Sequence, residues 1–289
     1  MTQLTAQTID VTRGPHRIHA ELVPGPGAPI VLMHGFPDNL QLYDRLMPLV
    51  VGRAAVVRFD FLGWGRSDKP AGYPYTATNQ IGDVDAVVDA VSDRLGTDKV
   101  VLVAHDASGP PAIDWALEHP DRVQRLVLLN TYYNRTAGLK RPPAIALYST
   151  PLLRNAARAA VRLWPGLDRR LFTWQVGTFI QDPAIREPFV ASLYEQFDAA
   201  RPAFWRLNED LLGTIIRGTR RAGLLREFTP PVRIVFGAKD RYLSPRVARR
   251  FAELFPSSEL HLLSDAGHYV QVDEPRRVAD LLLAPGYGD

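Results

Sequence analysis

Short, largely apolar runs recur along the chain and are separated by segments with a helical pattern. The runs occupy residues 29–33, 54–58, 100–104, 123–129 and 232–236. A strand that is covered on both faces is apolar throughout, whereas a strand with one exposed face alternates between apolar and polar residues. The runs therefore predict the strands of a central sheet that is buried on both sides.

The segments between the runs predict helices. Their helical patterns cover residues 40–50, 81–95, 110–118, 245–254 and 275–283. Because strands and helices alternate, we expect right-handed crossovers and a mostly parallel, doubly wound sheet of the α/β class. Residues 8–11 and 17–22 instead alternate in polarity, which favours an antiparallel hairpin at the edge of the sheet.

One long segment, residues 131–228, interrupts this alternation. It contains no strand-like run and is rich in Ala, Leu, Arg, aromatic residues and proline. A segment of this length without a strand, inside an alternating pattern, indicates an inserted helical subdomain. We therefore predict a core formed by residues 1–130 and 229–289 and a helical lid formed by residues 131–228.

The composition is that of an ordinary globular protein, with 46% hydrophobic and 22% charged residues. The start of the chain has no secretory or transit pattern and no stretch is apolar enough to span a membrane, so we expect a cytoplasmic protein without a membrane partner. The absence of cysteine excludes disulfides and thiolate chemistry. Because no histidine or carboxylate cluster has metal-ligand spacing, we expect neither a metal nor another cofactor.

Basic and acidic residues number 34 and 31, a near balance that argues against a nucleic-acid partner. Arginines nonetheless cluster in residues 154–170 and 217–226 with spacings that suit one helix face. We interpret these clusters as solvated helix faces, with an anionic substrate or surface partner as the alternative. The expected partner is a small, apolar substrate, and the expected assembly is a monomer or a homodimer.

Residues 100–109, with the sequence VVLVAHDASG, combine a buried strand with a polar residue among small neighbours. A strand that turns sharply into a helix needs small residues around the turn and projects its central side chain into the open. The small residues here are Ala104, Ser108 and Gly109, and the central residue is Asp106. The segment therefore predicts a nucleophile elbow that carries an aspartate.

Five motifs, in this order, together resemble the α/β-hydrolase family. They are HGFP at 34–37, DFLGWGRS at 60–67, the elbow around Asp106, GAKD at 237–240 and GH at 267–268. The resemblance spans nearly the whole chain and covers the lid least. An aspartate at the elbow narrows it to the epoxide hydrolases and to the haloalkane and haloacid dehalogenases of this fold.

The chemistry of an aspartate nucleophile agrees with this resemblance. A carboxylate is ionised at neutral pH without the help of a base, and its attack on an epoxide carbon or a carbon bearing halide gives an alkyl ester on Asp106. Water must then cleave that ester, and His268 is the expected general base. Asp240 is the expected partner of the imidazole, with Asp265 as the alternative. Asn130, where relatives sometimes place the acid, is not ionisable.

Backbone groups are expected to stabilise the oxyanion of the second step. The donors are the N–H groups of Phe36, after the first strand, and of Ala107, after the nucleophile. We expect His34 and His105 to support the site rather than to react. Ser108 lies past the apex of the elbow and is badly aimed, which argues against an acyl hydrolase.

An epoxide hydrolase must also hold the leaving oxygen, and relatives use lid tyrosines for this. Tyr148 and Tyr194 lie in the predicted lid, and Tyr132 and Tyr133 are further candidates. The family pattern places a second tyrosine shortly before the acid, yet none occurs between Tyr194 and Tyr242. The expected pair of tyrosines is therefore in question.

A dehalogenase must instead hold a halide. Relatives often place tryptophan directly after the nucleophile, where this chain has Ala107, and position 36 is Phe rather than an amide. Haloacid dehalogenases place arginine after the nucleophile, and that too is missing. Lid tryptophans, Trp205 among them, remain candidate donors, and we assign Tyr148, Tyr194, Trp205 and His34 to substrate binding.

The HGFP motif at 34–37 resembles that of epoxide hydrolases more than that of haloalkane dehalogenases. We therefore expect hydrolysis of an epoxide to a vicinal diol. The alternatives are hydrolytic dehalogenation of a haloalkane or haloacid and a ligand-binding homologue without turnover. An apolar substrate body would suit the aromatic residues of the lid, which include Phe172, Phe179, Phe189, Phe197, Phe204 and Trp205.

Overall fold

An eight-stranded sheet forms the centre of this computed structural model, which describes residues 6–285. The strands are β1 (Gln7–Arg13), β2 (His16–Val23), β3 (Ile30–Met33), β4 (Val56–Phe59), β5 (Val100–Asp106), β6 (Val123–Thr131), β7 (Val232–Gly237) and β8 (Ser258–Leu263). They lie in the order β1-β2-β4-β3-β5-β6-β7-β8. Strands β3 to β8 run parallel, and β2 pairs antiparallel with both β1 and β4. The predicted parallel sheet and its edge hairpin are confirmed.

Burial along the strands follows their place in the sheet. Every residue of β3 and of β7 is buried, as expected of strands that have neighbours on both sides and cover on both faces. Strand β8 forms an edge of the sheet and is mostly half-buried. The uniformly apolar runs in the sequence therefore mark the inner strands.

Helices fill the intervals between the strands. They are α1 (Met47–Val50), α2 (Ala77–Leu95), α3 (Gly109–Glu118), α4 (Pro143–Ser149), α5 (Pro151–Leu163), α6 (Pro165–Gly177), α7 (Pro183–Arg221), α8 (Pro245–Leu254), α9 (Val270–Asp273) and α10 (Pro275–Leu283). Helices α8 and α10 have the predicted bounds. Helix α2 begins four residues earlier than its apolar pattern, because Thr76 accepts a hydrogen bond from the Asn79 N–H and caps it there.

The helix predicted over residues 40–50 is wrong as a single element. The structure has a 3-10 helix at Leu40–Tyr43 and then the short helix α1. Pro48 explains the break, because it has no N–H to donate to the carbonyl of Asp44 in a continuous helix. Proline fits instead within the first turn of a new helix, where it stands in α1.

Helices α4 to α7 follow one another between β6 and β7, in the segment predicted as the lid. Each of them begins with a proline, at Pro143, Pro151, Pro165 and Pro183. Proline is favoured at the first position of a helix because its fixed φ suits the helix and its missing N–H would have no partner there. The prolines that punctuate this segment therefore mark helix starts.

The predicted core extends slightly beyond the described chain, since residues 1–5 and 286–289 lie outside the described residues. Within residues 6–285, no helix is both long enough and apolar enough to cross a membrane.

Candidate active site

Asp106 lies at the sharp turn between β5 and α3. Its φ of 49° falls in the left-handed region, which residues other than glycine rarely adopt. A Cβ added to Gly109 would lie 1.9 Å from Thr131 Oγ1. A Cβ added to Gly35, in the neighbouring loop, would lie 2.6 Å from the Cβ of Asp106. Packing therefore requires the small residues that surround Asp106 in the sequence and in space.

Two backbone N–H groups hold the Asp106 carboxylate. The N–H of Phe36 donates to Oδ2 over 3.3 Å, and the N–H of Ala107 also hydrogen-bonds the carboxylate. Burial raises the pKa of Asp106, against the opposing charge of His268 and these two hydrogen bonds. The predicted oxyanion donors thus point at the carboxylate on which the charge would develop.

His268 lies between Asp106 and Asp240. Its Nδ1 hydrogen-bonds Asp240 Oδ2 at 2.8 Å, and its Nε2 is 3.8 Å from Asp106 Oδ1. Asp240 follows β7, and its Oδ1 accepts hydrogen bonds from the N–H groups of Tyr242 and Leu243. The structure therefore brings together the three side chains that the sequence assigns to nucleophile, base and acid.

Asp265 and Asn130, the two other positions considered for the partner of His268, have different surroundings. Asp265 is turned to solvent, with 79% of its side chain exposed, and pairs with Lys239 at 3.1 Å. Asn130, at the end of β6, is part of the site: its Nδ2 donates to Asp240 Oδ2 at 2.8 Å, and its Oδ1 accepts from the Gly237 N–H at 2.8 Å. Asn130 therefore holds the carboxylate of Asp240 in position.

The attraction between the opposite charges of His268 and Asp240 fixes the protonation state of both groups. Burial would lower the pKa of His268, but the charge and hydrogen bond of Asp240 outweigh it, with smaller help from the other nearby carboxylates, and raise that pKa to about 9. Burial would raise the pKa of Asp240, but the charge and hydrogen bond of His268 lower it to about 2. At neutral pH the free protein therefore holds an imidazolium next to a carboxylate.

A second buried carboxyl group, that of Asp38, lies beside the carboxylate of Asp106. A Cβ added to Gly35 would be 3.1 Å from Asp38 Oδ2 and 2.9 Å from Asp106 Oδ2. Asp38 Oδ1 accepts from the Tyr269 hydroxyl at 2.8 Å, while Oδ2 is 3.7 Å from His105 Nδ1. Burial and the charge of Asp106 raise the pKa of Asp38 to about 7. Asp38 was not predicted as a site residue, although it directly follows the HGFP motif.

Asp106 and His268 line an apolar cavity, whose wall also includes residues of helices α4, α6 and α7. It contains about 780 Å³ of empty space, which includes its open mouth. Its apolar lining includes Phe36, Phe172, Val176, Phe179, Phe204 and Leu243. Its polar lining consists of Asp106, Tyr132, Lys140, Arg141, Gln175, Tyr242 and His268. Among the described residues, no three His, Asp or Glu side chains are grouped as a metal site requires.

The two lid tyrosines assigned to substrate binding lie away from this cavity, whose lining among residues 6–285 includes neither of them. Tyr148 is buried edge-on against Phe204, with ring centroids 5.5 Å apart. The hydroxyl of Tyr194 donates to Asp168 within the lid at 3.3 Å. The structure thus uses both rings for packing between lid helices and does not bring them to the substrate space.

Trp205 and His34 are also absent from the cavity lining formed by residues 6–285. The guanidinium groups of Arg158 and Arg162 lie over the Trp205 ring at 5.0 and 5.6 Å. His34 is buried, and its Nε2 accepts from the Phe61 N–H at 3.1 Å, which makes it a structural support of the loop after β3. Neither side chain is placed to touch a substrate in this cavity.

Tyr132, a secondary candidate in the sequence, does line the cavity. Its side chain is buried, and its hydroxyl has no hydrogen-bond partner within residues 6–285. Burial and the charge of Asp106 hold its pKa well above the ordinary value, so the phenol stays protonated. The adjacent Tyr133 instead donates to Asp114 at 2.6 Å. Tyr242, just past the acid, provides a second phenol in the cavity wall.

Gln175 is a cavity residue that no sequence signal indicated. It lies on α6 and is 5% exposed. Its Oε1 accepts weakly from the Ala144 N–H at 3.4 Å, and its Nε2 has no partner in the described part of the chain. A buried amide donor without a partner is rare enough to call for an explanation, and its place in the cavity wall suggests a substrate group.

A family model described as alpha/beta hydrolase fold matches residues 28–275. Haloalkane dehalogenase 2 of Mycobacterium tuberculosis is 30% identical over 282 residues, which cover 95% of this chain and 92% of that protein.

Two solved structures share the fold at lower identity. The haloalkane dehalogenase DatA from Agrobacterium tumefaciens C58 has a TM-score of 0.79 at 24% identity, over 96% of this chain and 94% of its own. The epoxide hydrolase CorEH has a TM-score of 0.72 at 22% identity, over 96% of this chain and 97% of its own. Because the family model spans most of the sequence, the chain belongs to the alpha/beta hydrolase fold family and is a hydrolase similar to the dehalogenase-like branch of that family.

Proposed function

We propose that this hydrolase opens an epoxide to a vicinal diol through an ester on Asp106. The observation that carries the proposal is Tyr132, whose protonated hydroxyl lines the cavity with Asp106 and has no partner among residues 6–285. Epoxide opening needs one group that attacks carbon and one that protonates oxygen. A carboxylate and a free phenol in one apolar cavity supply both.

The first step uses the carboxylate oxygen that does not accept from the Phe36 N–H and that lies nearer to His268 Nε2. Asp106 Oδ2 receives the Phe36 N–H, so Oδ1 is the oxygen that attacks. The new bond joins Oδ1 to an epoxide carbon, the ring C–O bond breaks, and its electron pair stays on the ring oxygen. Tyr132 donates its proton to that oxygen, which gives a hydroxyalkyl ester and a phenolate.

The second step uses His268 as the base, and ester formation prepares it. The charge of Asp106 is one of the causes that raise the pKa of His268, and the ester has no such charge. The pKa of His268 therefore falls when the ester forms, and the imidazole can give up its proton, which restores the Tyr132 phenol through solvent. Neutral His268 then deprotonates water for attack on the ester carbonyl, while the N–H groups of Phe36 and Ala107 hold the oxyanion. The bond between the carbonyl carbon and Oδ1 then breaks, the diol leaves with Oδ1 after taking the proton of the new carboxyl group, and the Asp106 carboxylate is restored.

The test is to trap the ester. The variant His268→Gln keeps a hydrogen-bonding side chain but lacks the base, so it should stop after the first step. We would incubate it with a panel of aryl and alkyl epoxides and record the intact protein mass. The expected result is an added mass equal to one whole epoxide, on a peptide that contains Asp106.

The control is His268→Gln combined with Asp106→Asn, which should gain no mass because the nucleophile is gone. If neither variant gains mass from any epoxide or halide, the covalent mechanism is wrong. Binding of the same compounds without turnover by the unmodified protein would then favour a ligand-binding homologue.

Hydrolytic dehalogenation is the second candidate, because the relative that is 30% identical is a haloalkane dehalogenase. The side chains of Phe36 and Ala107 offer no N–H to a halide, but Nε2 of Gln175, which has no partner in the described part of the chain, is a donor in the same cavity wall. With haloalkanes or haloacids, the His268→Gln variant would gain the mass of the substrate minus hydrogen halide. If halides give that adduct and epoxides give none, dehalogenation replaces epoxide opening as the proposed function.

A further inference from the structure

The lid presents an exposed corner to solvent where α5 meets α6. We call residues 162–170 the lid corner. Its exposed large apolar side chains are Leu163, Trp164 and Leu167, with 69%, 60% and 42% exposure. Its exposed basic side chains are Arg162, Arg169 and Arg170. Apolar side chains exposed side by side mark a surface that another phase or partner covers.

The lid corner is strongly basic. Its one acidic residue, Asp168, is 5% exposed and is paired with Arg201 at 2.7 Å, so it does not offset the arginines at the surface. The guanidinium groups of Arg162 and Arg169 each lie 5.6 Å from an aromatic ring of α7. The corner therefore offers leucine and tryptophan side chains surrounded by positive charge.

We propose that the lid corner docks on an anionic lipid bilayer. Segments that lie on membranes combine Leu and Trp side chains, which enter the boundary of the acyl chains, with Lys or Arg side chains, which meet anionic lipid phosphates. Leu163, Trp164 and Leu167 supply the first kind and the three exposed arginines the second. The sequence predicted no membrane partner because it has no segment that could span a membrane. That argument does not apply to a protein that binds only to the surface of a bilayer.

A second copy of the chain fits this corner less well. In a two-fold contact the same patch meets itself, so the arginines of both copies would face one another. Three apolar side chains also cannot provide the roughly 800 Å² per partner that a stable protein interface buries. An occupant that complements both the apolar side chains and the arginines of the lid corner must itself be apolar and negatively charged.

Helix α6 links the lid corner to the cavity. It begins at the corner and carries exposed Leu167, while Phe172, Gln175 and Val176 on the same helix line the cavity. Docking would therefore bring the cavity wall close to the phase in which an apolar substrate dissolves. This role does not depend on which bond Asp106 attacks.

The test is co-sedimentation of the full chain with vesicles of phosphatidylglycerol and, separately, of phosphatidylcholine. We expect binding to the anionic vesicles alone, with a steep fall as salt is raised from about 0.05 to 0.5 M. The variant Leu163→Ser/Trp164→Ser/Leu167→Ser should bind at least tenfold more weakly. The matched control Leu212→Ser/Ile216→Ser changes side chains on α7 that are 43% and 52% exposed and should bind normally.

A melting curve checks that the triple variant is folded, and Arg170→Glu gives an independent variant that should also bind several-fold more weakly. Equal binding to both vesicle types, or no loss in either variant, would overturn the proposal. Light scattering that shows a dimer in the unmodified protein and a monomer in the triple variant would assign the corner to a second copy instead.

Discussion

Asn130 Nδ2 donates to Asp240 Oδ2 over 2.8 Å, and that same oxygen is bonded to His268 Nδ1. Asn130 is in turn held by the Gly237 N–H and has a φ of 31°, in the left-handed region that asparagine tolerates better than most residues. The carboxylate of Asp240 is therefore oriented by an amide at the end of the neighbouring strand.

We predict that Asn130→Ala weakens both stability and the second chemical step. The change leaves the buried Gly237 N–H without a partner, which should lower the free energy of unfolding by about 1–3 kcal/mol. Asp240 also loses a fixed donor, so His268 is less well oriented and ester hydrolysis slows more than ester formation. Urea unfolding and single-turnover mass spectrometry measure the two effects, and an unchanged rate of ester hydrolysis would remove Asn130 from the site.

We predict that Tyr132→Phe lowers the kcat for epoxides by roughly 100-fold or more, because the ring oxygen loses its proton donor. Stability should change little, since the hydroxyl has no partner within residues 6–285. The matched control is Tyr133→Phe, which removes the hydrogen bond to Asp114 and costs stability but leaves the cavity unchanged. Full epoxide turnover by Tyr132→Phe would assign the leaving oxygen to Tyr242 or to the lid.

The residues around Asp106 were predictable because their signals are local. A buried strand, small neighbours and the start of a helix lie within ten consecutive residues, 100–109. The positions of Asp240 and His268 were also predictable, because each residue lies just beyond the carboxyl end of a parallel strand. Strand ends meet at one edge of a sheet, so a correct sheet brings these residues together.

The cavity wall was not predictable in this way. Gln175 lies on helix α6 and Tyr194 on helix α7, and the rotation of each helix decides which of the two side chains faces the cavity. That rotation depends on contacts between helices far apart in sequence, such as the bond of Tyr194 to Asp168. Asp38 was missed for a related reason, because its burial beside Asp106 arises from a loop and not from a repeating pattern.

We predict that His268 makes stability depend on pH above neutrality. Its pKa is about 9 in the folded protein and near 6.5 for an unperturbed histidine. Because the folded state binds the proton more tightly, the stabilisation is fully present below pH 6.5 and is lost as pH rises through about 9. The melting temperature of His268→Gln should therefore fall less between these pH values than that of the unmodified protein. His261→Gln, on β8, is the control, and parallel curves for all three proteins would contradict the prediction.

We predict that Gln175→Leu stabilises the free protein and impairs its use of substrate. Leucine replaces a buried amide whose Nε2 has no partner in the described chain, so the free energy of unfolding should rise by roughly 1 kcal/mol. If the amide holds a polar group of the substrate, kcat/KM should fall by about three- to tenfold, the equivalent of one neutral hydrogen bond. Asn208→Leu is the matched control, because Asn208 Oδ1 is also buried without a partner in the described chain but lies outside the cavity lining. A loss of kcat/KM in both variants would point to a general disturbance of the lid, whereas a loss in Gln175→Leu alone identifies Gln175 as a substrate contact.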